Sequence, residues 1–187
     1  MIVILALGLG AAAGWIRGGR LRNLEQLKIR YVPGILVLFV VQSVLRSDFA
    51  PLGRLSAILL VWLWCMCVLT TAFLALANRR VRGFILVSIG LLSNALVVVA
   101  NGAMPLSLSA ASRLGISAGQ VANGLQDGFY VVVTDQTRLW LLGDVLPLPA
   151  IVPGMGSVLS IGDVLMLVGV AIVIADGMLP DAGQPGR

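Results

Sequence analysis

Residues 160–178 read SIGDVLMLVGVAIVIADGM, a polar start followed by Val, Ile, Leu, Met and Ala interrupted only by glycine before Asp176. A run of this length approaches the roughly 20 apolar residues that a helix needs to cross the hydrocarbon core of a bilayer. Lipid offers the backbone no hydrogen-bond partners, so a single crossing must be helical. Ser160-x-x-Asp163 ahead of the apolar run has the spacing of a capping box, although Glu or Gln is commoner at its fourth position. The stretch therefore predicts a membrane helix with a carboxylate in its first turn.

Four more apolar runs precede it, at about 1–16, 31–45, 55–77 and 84–100. The whole chain of 187 residues is 59% hydrophobic and only 11% charged, with a mean hydropathy of +1.02. These values belong to integral membrane proteins. The expected fold is an all-α integral membrane protein, one membrane domain over 1–187, with five transmembrane helices. The first run has no basic residues ahead of it and ends in Trp15-Ile16-Arg17, not in a small-residue cleavage site, so it reads as a retained helix.

Basic residues set the orientation. Segment 17–30 carries five of them (Arg17, Arg20, Arg22, Lys28 and Arg30) against Glu25, a net of +4, and 78–83 carries Arg79, Arg80 and Arg82, a net of +3. Loop 46–54 has Arg46 and Arg54 against Asp48, a net of +1, and segment 101–159 has Arg113 and Arg138 against Asp127, Asp135 and Asp144, a net of −1. The first two segments then face the cytoplasm, and the N-terminus and 101–159 lie outside. The bilayer partner implied is the cell (cytoplasmic) membrane, crossed several times.

Gly10-x-x-x-Gly14, extended by Ala6 and Gly18, gives helix 1 a small-residue face suited to close helix packing in the bundle. Gly18–Leu27 has the pattern of a basic amphipathic stretch on the inner leaflet. Segment 101–159 reads as an extracytoplasmic cap over the helix ends. Ser107–Leu125 suggests short helices, Phe129–Thr134 has the composition of a strand, and Pro147, Pro149, Pro153, Gly154 and Gly156 impose a turn-rich return. Phe129, Tyr130 and Trp140 suit the headgroup layer.

Several chemistries drop out. There is no histidine, which removes Ser-His and Cys-His nucleophiles and imidazole metal ligands. Cys65 and Cys67, two apart in an apolar run, read as buried apolar residues and cannot form a zinc site alone. No metal and no cofactor is expected. The pI of about 10.2 comes from basic clusters between apolar runs, which read as topology signals, and no nucleic-acid partner is expected.

What remains is acidic. Gly-Asp-Val-Leu occurs twice, at Gly143–Leu146 and Gly162–Leu165, with 18 residues between the two aspartates. An acid entering a membrane run is a site hypothesis by default. Asp163 has a structural alternative as a helix cap, and Asp144 has one in ordinary Gly-Asp turn chemistry. Together, in one outer-face context, two close carboxylates cannot both ionise easily, and an acid with a base over a bound water suits hydrolysis without histidine. Asn101 at the end of helix 4, Ser160 and Arg138 are supporting candidates, Arg138 as a charge partner for an acid. Asn94, deeper in helix 4, must find polar partners on another helix. Asp127 and Asp135 read as loop residues, and Asp176 as compensated by interfacial water.

Asn101-Gly102-Ala103-Met104-Pro105, Thr137–Pro149, Ser160-Ile161-Gly162-Asp163 and Gly18-Gly19-Arg20-Leu21 resemble a bacterial family of small multi-pass membrane proteins catalogued as a domain of unknown function. More locally, Arg138-Leu139…Gly143-Asp144-Val145 and Ser160-Ile161-Gly162-Asp163-Val164-Leu165…Gly169, within residues 135–170, are similar to the tail of prolipoprotein signal peptidases. That resemblance implies Asp144 and Asp163 as a catalytic pair, one in an outer loop and one where the last helix begins. Ser160 stands where those enzymes carry asparagine, and Gly162 where they carry alanine. The functional expectation is a membrane protein of an uncharacterised family with an aspartate-pair site, acting as a hydrolase on a lipid-linked or membrane-bound substrate. The alternatives are a non-catalytic binding or accessory subunit with a protein partner and, third, a small transporter.

Overall fold

Glycines govern how the helices meet. The computed structural model describes residues 2–46, 56–117, 119, 121, 125, 128–149 and 156–180. Asp48, Arg54, Asp127, Pro153 and Gly154 lie outside the described residues. The chain is mostly helical, with α1 (Ile2–Ile16), α2 (Val32–Leu45), α3 (Ala57–Ala77), α4 (Phe84–Asn101), α5 (Leu108–Arg113) and α6 (Ile161–Gly177). Each of the five apolar runs is a helix, and Ile58–Ala77 and Phe84–Asn101 are long and apolar enough to cross a membrane. The others are shorter, with 15, 14 and 17 residues in α1, α2 and α6.

Helix α6 packs between α1 and α4, α4 packs on α3, and α3 on α2. A Cβ at Gly10 would lie 2.8 Å from the Ala171 carbonyl oxygen, and one at Gly14 would strike the Met178 side chain. The Gly10–Gly14 face is therefore spent on α6, and the rising residue pairs make α1 and α6 parallel. On the other side, Gly83 meets Gly169 and Gly90 meets Gly162, again with no room for a Cβ, so α4 runs antiparallel to α6. Backbone-to-backbone approach of this kind is what small residues permit. A buried core of Val61, Trp64, Cys65 and Val68 from α3 and Leu91, Ala95, Val97 and Val98 from α4 is closed at one end by Met104 and Phe129. The outward faces are apolar, with Ile4 75%, Ile58 73% and Phe73 65% exposed.

At the opposite end, Asp176 pairs with Arg17 at 2.5 Å, with Arg82 at 4.0 Å. This corrects the expectation of compensation by water: because α1 and α6 are parallel, Arg17 ends beside the last turn of α6. The basic stretch after α1 is a 3-10 helix over Leu21–Gln26. Arg20 and Asn23 donate to the Met178 carbonyl at 2.8 and 2.7 Å, so this stretch also caps α6.

Segment 101–159 departs from an all-α fold. Four three-residue strands form two small sheets: β1 (Met104–Leu106) parallel to β2 (Tyr130–Val132), and β3 (Leu146–Leu148) antiparallel to β4 (Ser157–Leu159). The strand composition of Phe129–Thr134 thus corresponds to β2, whereas Pro147 sits inside a strand and not in a turn. Pro105 and Pro147 are tolerated because ribbons this short leave a strand's N–H side without a required partner. The Met104 N–H donates to the Phe129 carbonyl and the Leu106 carbonyl accepts from Val133, facing β2, while the Pro105 carbonyl faces the other way, towards Asp144.

Candidate functional site

The β3–β4 hairpin joins the two Gly-Asp segments. Its register pairs Leu146 with Leu159, and the Val145 N–H donates to the Leu159 carbonyl at 3.1 Å. Asp144 therefore begins one arm, and Ser160, which opens α6, ends the other. Each motif glycine has a steric reason. A Cβ at Gly143 would lie 2.6 Å from the Pro105 carbonyl oxygen, and a Cβ at Gly162 would lie 2.6 Å from that of Gly90 and overlap the Asn94 amide.

The two aspartates meet different fates. Asp163 completes a capping box: its N–H donates to Ser160 Oγ at 2.9 Å, and its Oδ2 accepts from the Ser160 N–H at 3.1 Å. Its Oδ1 accepts from Asn94 Nδ2 at 2.9 Å, and Ser160 Oγ, fully buried, donates to Asn94 Oδ1 at 2.8 Å. Asn94 thus bonds across to α6 with both ends of its amide. The carboxylate also sits at the positive end of the α6 dipole.

Asp144 is held by its backbone. Its N–H donates to the Pro105 carbonyl at 2.8 Å, and its carbonyl accepts from the Ser107 N–H at 2.9 Å, which makes it a one-residue bridge beside β1. The side chain is only 7% exposed, and its Oδ1 is buried with no hydrogen bond. Burial pushes its carboxyl up from 3.8 to about 7, the negative charge of Asp163 adds to this, and the Arg46 guanidinium opposes it. A turn-capping aspartate would spend its oxygens on amides; Oδ1 is not so spent.

Arg46 comes directly after the last turn of α2. Its guanidinium lies 5.7 Å from the Trp64 ring centre, 5.9 Å from Phe129 and 5.3 Å from Tyr130, and it donates to the Tyr130 hydroxyl. Burial raises the Tyr130 phenol above its ordinary value, Arg46 lowers it, and the Asp144 and Asp163 charges raise it.

The Asn101 side chain holds the backbone of Arg138. Asn101 Nδ2 donates to the carbonyls of Val97 and Arg138, both at 2.8 Å, and its Oδ1 accepts from the Arg138 N–H at 2.9 Å. This clamp anchors the turn leading to Asp144 at the end of α4. The next residue, Leu139, has φ +51, the left-handed region that favours glycine. Among the described residues, the guanidinium that acts on Asp144 is that of Arg46, not Arg138. Neither Arg46 nor Tyr130 stands out as a site residue in the sequence, since the cage draws on the end of α2, on α3 and on the β2 region. Among the described residues, no three His, Cys, Asp or Glu side chains gather as a metal site needs.

No curated protein and no solved structure matches the chain, so the likeness of residues 135–170 to prolipoprotein signal peptidases has no counterpart in them. A family model described as a family of unknown function, DUF5317, matches residues 26–175, which hold α2, α3, α4, both sheets and nearly all of α6. The chain belongs to the family of unknown function DUF5317.

Proposed function

We propose that the chain is a five-crossing protein of the cell membrane whose outer face carries an acid–base site built by Asp144 and Asp163, a hydrolase acting on a membrane-bound substrate. Support for the five crossings comes from packing and charge. With crossings at α1, α2, α3, α4 and α6, strict alternation requires α6 parallel to α1 and antiparallel to α4, as the glycine contacts have them. Arg17, Arg20, Arg79, Arg80 and Arg82 then gather on the cytoplasmic side.

The observation that carries the site is the Asp144 carboxyl: clamped through its backbone, buried, with an oxygen that bonds to nothing and a proton held up to about pH 7. Catalytic acids and bases are tuned in this manner by burial and a like charge. In hydrolysis, the Asp163 carboxylate takes a proton from the attacking water, and neutral Asp144 gives its proton to the oxygen or nitrogen that leaves. The pair ends with its protons exchanged, and solvent restores it.

The accessory-subunit reading draws on one feature, that Asp163 is wholly engaged in the capping box and with Asn94. Asp144→Asn separates the two, because that side chain holds no structural bond through Oδ1. In a null strain complemented at matched protein level, Asp144→Asn abolishes function under the acid–base reading. Full complementation by Asp144→Asn and by Asp163→Asn would refute the acid–base reading.

A further inference from the structure

Arg46 lies at the acids' end of the fold, with its guanidinium set against three rings. Cation–π contact and the Tyr130 hydroxyl hold its plane while its side chain remains exposed. Among the described residues, the ion pairs are Arg17–Asp176 and Arg82–Asp176, and neither involves Arg46. A guanidinium has five N–H donors, and the bond to Tyr130 uses one of its nitrogens. A side chain ordered before binding loses little entropy on taking a ligand. The planar fork matches the oxygens of a phosphate or a carboxylate.

We propose that Arg46, in its cage of Trp64, Phe129 and Tyr130, is the anion-binding group of this site, and that its ligand is an amphiphile with a singly charged phosphate headgroup. The substrate class rests on the acid–base reading of Asp144 and Asp163 at the membrane face. Phosphate is the commonest anion that membrane lipids carry at headgroup depth. The negative charge of Asp163, felt at Tyr130 of the cage, disfavours a dianion, so a phosphodiester fits better than a phosphomonoester. Tyr130 would orient the guanidinium, as a positioning residue.

The test uses the full chain in neutral detergent, titrated calorimetrically with dihexanoyl phosphatidylglycerol, dihexanoyl phosphatidylcholine and inorganic phosphate. The expected result is that the anionic lipid binds about tenfold or more tighter than the zwitterionic one, as a charge-assisted contact implies. Arg46→Gln removes that preference, and Arg46→Lys keeps only part of it, because an ammonium neither forks nor stacks in the same way. Tyr130→Phe retains the ring but frees the guanidinium, and weakens the anionic lipid by about threefold. Displacement of phosphatidylglycerol by inorganic phosphate, lost in Arg46→Gln, supports recognition of the phosphate alone; no displacement supports the intact amphiphile. Equal binding of the two lipids by the wild-type chain, or a preference unchanged in Arg46→Gln, overturns the proposal. A lipid preference that Arg46→Gln removes, in a protein whose Asp144→Asn form still complements a null strain, refutes the acid–base reading and leaves the anion site standing.

Discussion

Asp144→Asn tests whether the buried carboxyl is held for chemistry or for structure. The folded protein holds this proton to about pH 7, against a reference value of 3.8. Between those limits the folded state binds a proton that the unfolded chain has lost, so stability falls as pH rises through the window. Below about 3.8 both states are protonated and the penalty is absent; above about 7 it is complete. At 1.36 kcal/mol per pKa unit, the full penalty is about 4 kcal/mol. Asparagine has the same shape and no charge, so the variant escapes the penalty. Its advantage over wild type is expected to be near zero at pH 4, to grow through pH 5–7, and to level off above pH 8 at up to about 4 kcal/mol, or on the order of 10 °C in Tm. Thermal unfolding followed by tryptophan fluorescence in detergent, at half-unit steps from pH 4 to pH 9, measures the difference directly. An Asp144 that is an ordinary ionised cap gives the opposite sign, with the variant less stable at high pH. A pH-independent difference also refutes the reasoning, since it removes the linkage on which the acid–base assignment stands.

Other substitutions probe the frame around the pair. Gly162→Ala forces a Cβ onto the Asn94 amide and the Gly90 carbonyl and is expected to lower stability by about 1–3 kcal/mol, whereas Gly8→Ala, with open space around it, is neutral or gains up to about 1 kcal/mol in thermal melts. Asn94→Ala leaves the buried Ser160 hydroxyl without its acceptor and is expected to cost about 1–3 kcal/mol by the same assay. Arg17 is 47% exposed in its pair with Asp176, so a double-mutant cycle of Arg17→Gln and Asp176→Asn should return a coupling of about 0.5 kcal/mol, weakened by salt.

The helices are legible in the sequence because each announces itself locally: an apolar run bounded by charges or by glycine and proline needs no knowledge of its neighbours. The Gly10–Gly14 face and the need of Asn94 for a partner on another helix are readable for the same reason, although which helix answers is a long-range fact. The cap is legible at Ser107–Leu125, where α5 forms, and at Phe129–Thr134, where β2 forms. Strands of three residues with proline at the centre, Met104–Leu106 and Leu146–Leu148, show no alternation, and their pairing depends on chain returning from far away. The compensation of Asp176 escapes a local reading because its partner, Arg17, is 159 residues distant and is brought in by the parallel run of α1 and α6. Arg46 counts in the sequence as one loop charge among several; its cage exists only once α2, α3 and the β2 region are assembled.

The repeated tetrapeptide shows why a motif and a site differ. In both copies glycine does the same work, letting its backbone touch another: Pro105 in the first, Gly90 in the second. The aspartates diverge because the chain after each takes a different secondary structure. Val164 and Leu165 continue a helix, and a helix start offers amides, so the Asp163 carboxyl is drawn onto Ser160 and Asn94 and its charge is held in place. Val145 and Leu146 enter a strand, whose amides point sideways to Leu159 and its neighbours, so the Asp144 carboxyl receives none at Oδ1. The ordered charge of the second copy then adds to burial in keeping the first protonated. The acid–base reading proposed for the two aspartates draws on this difference between identical residues: one carboxyl is held by hydrogen bonds at a helix start, and the other is buried beside a strand with Oδ1 unbonded.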